Sequence, residues 1–304
     1  MKKHIILLSA AGLLFSSCGV YTKYKPATEV PDGLYGEETA AFTESTDGSP
    51  VATEDSLNRG LGGMDWRELF TDPHLQALIG QGLQNNTDYQ SAQLRVEEAE
   101  ATLLSAKLAF LPSFAFAPQG TVSSFDSHKA TQTYSLPVTA SWELDIFGRM
   151  RNAKKQSKAL YAQSRDYRQA VRTQLIAGIA NTYYTLLMLD QQLAISRQTE
   201  ETWRETVAST RALMNAGMAN ESAVSQMEAT YYQVQTSVLD LEEQINQVEN
   251  SLALLLAETP RRYERGVLAE QQFPADFSIG IPVRMLSCRP DVRSAERTLE
   301  AAFY

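Results

Sequence analysis

Only two cysteines, Cys18 and Cys288, and three histidines occur among 304 residues, too few for a disulfide framework. His4 lies in the N-terminal leader, His74 in a helical pattern and His128 in a loop pattern, with no cysteine or second histidine at metal-ligand spacing. A glycine-rich phosphate loop and a nucleophile elbow are both missing. These absences point away from an enzyme and leave no motif for a metal or cofactor. The acidic run Glu97, Glu98, Glu100 reads as a solvated helix face. Lys and Arg number 27 against 36 Asp and Glu, a net charge of −9. No basic cluster is able to neutralise a run of phosphates, which argues against nucleic acid as a partner. The longest leading apolar run, Ile5 to Phe15, is too short to span a bilayer as a helix. Proline is absent from Gly148 to Leu256, where only Gly178 and Gly217 interrupt the pattern. That absence permits very long helices.

The leader has a cationic start, Met1-Lys2-Lys3, then the apolar run and two serines, so residues 1–17 read as an export signal. Ser16-Ser17-Cys18 resembles a bacterial lipobox, with Phe15 where leucine is usual. The resemblance implies a covalent lipid on Cys18, which would anchor the chain stably through several acyl chains and leave Cys288 without an intramolecular partner. Residues 18–63 are rich in Gly, Pro, Thr, Ser and acids without a regular period, as expected of an extended tether.

Periodic structure then begins. Residues 64–111 read as a helix pair: Trp66, Leu69, Phe70, Leu75, Leu78, Ile79 and Leu83 mark the first helix. Asn85-Asn86-Thr87 interrupt it, and Ala92, Val96, Ala99, Leu103 and Ala106 mark a second that stops before Pro112. Over 112–147 the period changes to two, most clearly in Tyr134, Leu136, Val138, Ala140, Trp142, Leu144 and Ile146 alternating with polar residues. Phe114, Phe116 and Val122 form a weaker partner strand. Two such strands are not stable alone, and the alternation suits a membrane β-barrel.

Residues 148–258 carry two heptad runs. Leu175, Ile179, Thr182, Leu186, Leu189, Leu193, Ser196, Glu200, Trp203, Val207, Thr210 and Met214 form the first. Val224, Met227, Tyr231, Val234, Val238, Leu241, Ile245, Val248, Leu252 and Leu255 form the second. A strict seven-residue period predicts a coiled-coil hairpin, and a helix from Gly148 to Ala216 would be on the order of 100 Å long. Its tip falls at 211–221, where Gly217 can end one helix and Asn220 can cap the next. Residues 259–289 read as a connecting loop. The fold class is therefore mainly α with a small β part: a long helical hairpin in a tunnel wall plus two antiparallel barrel strands.

An internal repeat supports this architecture. Asp88, Ser91, Ala92, Val96, Glu97 and Ala99 recur in register as Asp291, Ser294, Ala295, Leu299, Glu300 and Ala302. Residues 290–304 are thus expected to be the truncated start of a second copy.

Trp66-Arg-Glu-Leu-Phe70-Thr-Asp72-Pro-His-Leu75, with Leu83, Asn86, Asp88, Ala92 and Arg95, resembles the opening signature of the TolC-like outer-membrane factors. Trp142-Glu-Leu-Asp145-Ile-Phe147-Gly148-Arg149 and Arg289-Pro290-Asp291-Val292 resemble the lipoprotein branch that serves resistance-nodulation-division efflux pumps. The resemblance implies, for the complete family protein, a lipid-anchored homotrimer in the outer membrane with a large periplasmic part, a passive duct for small molecules. It also implies a periplasmic adaptor protein and an inner-membrane pump as partners, no cofactor, and an adaptor-contact tip at Arg211, Gly217, Met218, Ala219, Asn220 and Glu221. A periplasmic coiled-coil spacer and the outer-membrane channel of a type I protein secretion system are the alternatives.

Overall fold

The computed structural model describes residues 23–26, 65–123, 131–272 and 289–304. The export signal, Cys18, most of the tether and Cys288 lie outside the described residues. The described residues fall into two compact units, one of 23–26, 98–123, 131–163 and 292–304, the other of 65–97, 164–272 and 289–291. The chain is mainly α, as expected.

The single helix expected from Trp66 is divided into α1 (Trp66–Leu69) and α2 (Pro73–Asn85). Asp72 causes the break: its side chain accepts from the His74 amide at 2.8 Å, and Pro73 has no amide with which to continue a preceding helix. Helix α3 (Thr87–Leu108) follows after one residue, Asn86. That side chain accepts from the Tyr89 amide at 2.9 Å and donates to the Leu255 carbonyl at 3.0 Å.

Helices α4 (Arg149–Asn215, 67 residues) and α5 (Glu221–Leu256, 36 residues) form the hairpin. At about 1.5 Å per residue α4 is about 100 Å long. Every heptad position named above is buried or half-buried. Across the hairpin Arg197 pairs with Glu242 at 2.6 Å, and Arg211 pairs with Glu228 nearer the tip. The core of this unit gathers Leu75 and Ile79 of α2, Ile179, Tyr183, Leu186 and Leu187 of α4, and Leu252 and Leu256 of α5, all nearly inaccessible. Each such aliphatic side chain contributes roughly 1.5–3 kcal/mol on burial, so the unit rests on this cluster. A short 3₁₀ turn, Leu268–Glu270, follows α5, and α6 spans Pro290–Phe303.

Helix α5 ends in a left-handed residue that is not glycine: Ala257 has φ 52° and ψ 46°. Its amide bonds the Leu254 carbonyl while the Glu258 amide bonds the Ala253 carbonyl, at 3.2 and 3.0 Å. This doubly bonded termination normally takes glycine because a Cβ in the left-handed region is strained. Ala257→Gly is expected to raise stability by about 1 kcal/mol, read as a higher midpoint of thermal unfolding by circular dichroism. An unchanged or lower midpoint would show that the strain is absent.

The strand expected through Ile146 ends earlier and is interrupted. Four segments, β1 (Ser113–Phe116), β2 (Gln119–Ser123), β3 (Thr131–Ser135) and β4 (Val138–Ser141), make two antiparallel pairs, β1 with β4 and β2 with β3. Both pairs share one register, in which Phe116 faces Val138 and Gln119 faces Ser135. The gap between them holds Pro118 and Pro137, which have no amide for the ladder. Residues 142–147 leave the sheet to start α4.

Candidate functional site

Three places in the described structure present groups suited to a function, and the sequence pattern explains each. The first is the β-hairpin. Each arm, 113–123 and 131–141, has the length of a membrane strand, about 9–11 residues. Because partners in an antiparallel pair share a face, Phe114, Phe116, Val122, Tyr134, Val138 and Ala140 lie together on one side, with Gln132, opposite Val122, the polar residue among them. Ser113, Thr121, Ser123, Thr131, Thr133, Ser135, Thr139 and Ser141 lie on the other. The apolar side is open in this single chain: Phe114, Tyr134 and Val138 are 71–73% exposed. At its helical end Asp145 accepts from the amides of Met150 and Arg151 at 3.1 and 2.9 Å, capping α4. The Trp142 indole donates to the Phe110 carbonyl at 3.1 Å.

The second is the hairpin tip. Gly217 has φ +74°, and the Gly217 and Met218 amides bond the Met214 and Leu213 carbonyls, both at 2.9 Å. Asn220 then caps α5 by accepting from the Ala223 amide at 2.9 Å. The turn so closed leaves Met218 75% exposed, an apolar side chain at the most remote point of the hairpin. Ala219 is half-buried, Glu221 is exposed, and Arg211 is engaged with Glu228 one turn below the tip. Of the expected tip residues, Gly217, Met218, Ala219 and Asn220 form the turn, Glu221 opens α5, and Arg211 stands within the last turns of α4. Whether that region contacts an adaptor belongs to the proposal below.

The third place was not anticipated. Tyr183 lies between the heptad positions Thr182 and Leu186; it is fully buried, and its hydroxyl donates to Asp72 Oδ2 at 2.6 Å. The same hydroxyl accepts from the Gly266 amide at 2.9 Å, and Gln271 donates to Asp72 Oδ2 at 2.8 Å. A Cβ on Gly266 would stand 2.7 Å from Asp72 Oδ2, so the loop approaches only as glycine. Burial raises the Asp72 carboxyl pKa, but the bonds from Tyr183, Gln271 and the His74 and Leu75 amides outweigh it, and the net shift is downward. Burial, then the Asp72 bond, pushes the Tyr183 hydroxyl up. Beside this network Arg265 donates to Asp190 through Nε and through Nη2, the latter at 2.8 Å, and to Glu249 Oε1 at 2.6 Å. Both clusters fasten the loop after α5 onto the helices; neither has the exposed geometry of a reaction centre. Among the described residues no group of His, Cys, Asp and Glu could hold a metal ion, and no helix is long and apolar enough to cross a membrane.

Comparison with known proteins gives these features a context. Residues 78–258 match the family model described as outer membrane efflux protein. The chain is 26% identical over 311 residues to the antibiotic efflux pump outer membrane protein ArpC of Pseudomonas putida, covering 99% of this chain and 62% of that protein. It is 28% identical over 241 residues to the probable outer membrane lipoprotein SilC of Salmonella typhimurium, covering 78% of this chain and 52% of that protein. In three dimensions it is similar to the open-state MtrE outer membrane channel of Neisseria gonorrhoeae, with a TM-score of 0.71 and 24% identity. That likeness covers 93% of this chain and 61% of the other. The chain spans less than two thirds of the length of each of these proteins.

Proposed function

Because the chain belongs to the family of outer membrane efflux proteins, we propose that it contributes to an outer-membrane channel. The channel is a passive duct that carries small molecules from a periplasmic pump to the exterior. The observation that carries this reading is the β-hairpin: membrane-length arms, one face apolar and open, the other lined with hydroxyls. Such a hairpin satisfies its backbone in lipid only within a closed barrel, which the homotrimer of the complete family protein would supply. The apolar face then meets lipid and the hydroxyl face meets water.

Helices α4 and α5 form the wall of the periplasmic duct, with the seam inside the hairpin and the remaining faces toward neighbouring helices. No covalent chemistry is required of the chain; opening follows from a partner that binds the open form more tightly. The tip at Arg211, Gly217, Met218, Ala219, Asn220 and Glu221 meets a periplasmic adaptor, which links the duct to an inner-membrane pump of the resistance-nodulation-division type. A lipid on Cys18 anchors the chain. Metabolic labelling with a radioactive fatty acid is expected to tag the wild type and not Cys18→Ser; equal labelling would remove the anchor.

The docking assignment is tested in the full-length protein with Gly217→Val. A β-branched side chain at positive φ costs about 1–2 kcal/mol locally, which deforms the turn while leaving the heptads intact. Export and adaptor cross-linking are expected to fall several-fold while the oligomer still assembles. Unchanged export together with unchanged cross-linking would sink the docking role.

A further inference from the structure

The chain-wide acid excess hides a local reversal. Residues 149–158, Arg-Met-Arg-Asn-Ala-Lys-Lys-Gln-Ser-Lys, carry five cations and no acid in a chain of net charge −9. They form the first turns of α4. Arg151, Lys154, Lys155 and Lys158 follow helical spacing and share one exposed face.

Helix energetics oppose this placement, since the N-terminal end carries partial positive charge and disfavours cations. Glu143 at 2.6 Å from Arg149 and Asp145 at 3.2 Å from Arg151 offset two of the charges. The Lys154 and Lys155 ammoniums stand instead over the rings of Phe110 and Tyr304, at 5.6 and 4.8 Å. Immediately before the stripe, Trp142, Leu144, Ile146 and Phe147 are 61–85% exposed. An aromatic and aliphatic band followed directly by cations is the order of environments from hydrocarbon through interface to headgroups. Helical side chains also lean toward the N-terminus, here toward the band, so long cationic side chains reach back to that boundary. Arg149 to Lys158 covers about 13 Å along the helix, against a headgroup layer of roughly 5–8 Å.

We infer that the exposed face of Arg151, Lys154, Lys155 and Lys158 binds the phosphates of anionic phospholipid in the leaflet from which α4 emerges, and so fixes the depth of the barrel. The inference rests on the membrane reading of the hairpin, and its occupant follows from charge complementarity and continuity with the apolar band.

The test uses the full-length protein in nanodiscs of phosphatidylethanolamine with a minor share of phosphatidylglycerol, scoring retained lipid by native mass spectrometry. Phosphatidylglycerol is expected to be enriched in the wild type and lost in K154Q/K155Q/K158Q. Each charge near the surface contributes roughly a factor of five, so the preference drops about a hundredfold. K154R/K155R/K158R keeps the charges and is expected to keep the enrichment, which separates lipid binding from misfolding. Equal phosphatidylglycerol retention by wild type and the glutamine variant overturns the inference but leaves the membrane reading intact, as does retention of lipopolysaccharide in its place. Failure of the wild type to enter any bilayer overturns both.

Discussion

Replacing Arg265 by Met is expected to destabilise the protein by about 3–5 kcal/mol. Its guanidinium is largely buried, with a side-chain exposure of 14%, and it holds Glu249, whose side chain is 6% exposed, and Asp190 at once. Methionine fills much of the same volume, so packing changes little, while Glu249 keeps a charge with no partner in a site that water scarcely reaches. An uncompensated buried charge dominates the balance: the attraction lost is large, and the desolvation already incurred is not recovered. The double variant Arg265→Met with Glu249→Leu is expected to regain most of the loss, because removing both members of a buried pair is often close to neutral. Denaturation followed by helical circular dichroism measures both. A single-variant loss below about 1 kcal/mol, the range of an exposed pair, would show that this cluster is solvated.

Asp72→Ala is expected to cost about 2.5–4 kcal/mol, summed from a helix cap of about 1 kcal/mol and the hydrogen bond from the buried Tyr183 hydroxyl to a charged acceptor, about 1.5–3 kcal/mol. The substitution leaves the buried Tyr183 hydroxyl without its acceptor, while the Gln271 amide keeps its bond to the Val267 carbonyl at 3.3 Å. The pH dependence carries a sign that can be checked. Asp72 has a lowered pKa in the folded chain, so its contribution is present above the unfolded carboxylate value near 3.9 and is lost as pH falls through the folded value. Tyr183 has a raised pKa, so its contribution is present below about 10 and is lost as pH rises through the folded value. The Asp72→Ala variant should therefore show a flatter acid limb than the wild type. An acid limb of identical slope would show that Asp72 does not titrate differently on folding.

The heptads were readable because they are local and strictly periodic: the positions from Leu175 to Met214 and from Val224 to Leu255 all turn inward. The β alternation was equally plain, but periodicity does not register a missing amide, so the interruption at Pro118 and Pro137 had to come from the pairing. Nor does it register capping, and Asp145, which continues the alternating pattern toward Ile146, serves the Met150 and Arg151 amides instead. The two polar clusters were hidden for another reason. Arg265 and Asp190 are 75 residues apart, and Asp72 and Tyr183 are 111 apart; Tyr183 reads as one more large residue in an apolar stripe. The tip was legible because glycine between two uninterrupted helical runs leaves little else to conclude. Its partner was suggested by resemblance alone.

The weakened step at Pro118 and Pro137 has a mechanical consequence. A sheet resists shear and change of curvature through its rungs, and here a single long bond, from the Ala117 amide to the Pro137 carbonyl at 3.4 Å, crosses midway along the hairpin while the register above and below stays the same. The two halves can pivot about that waist without any residue changing its partner. A cylinder assembled from such hairpins would be most compliant at half height, where each of them carries its weakest step.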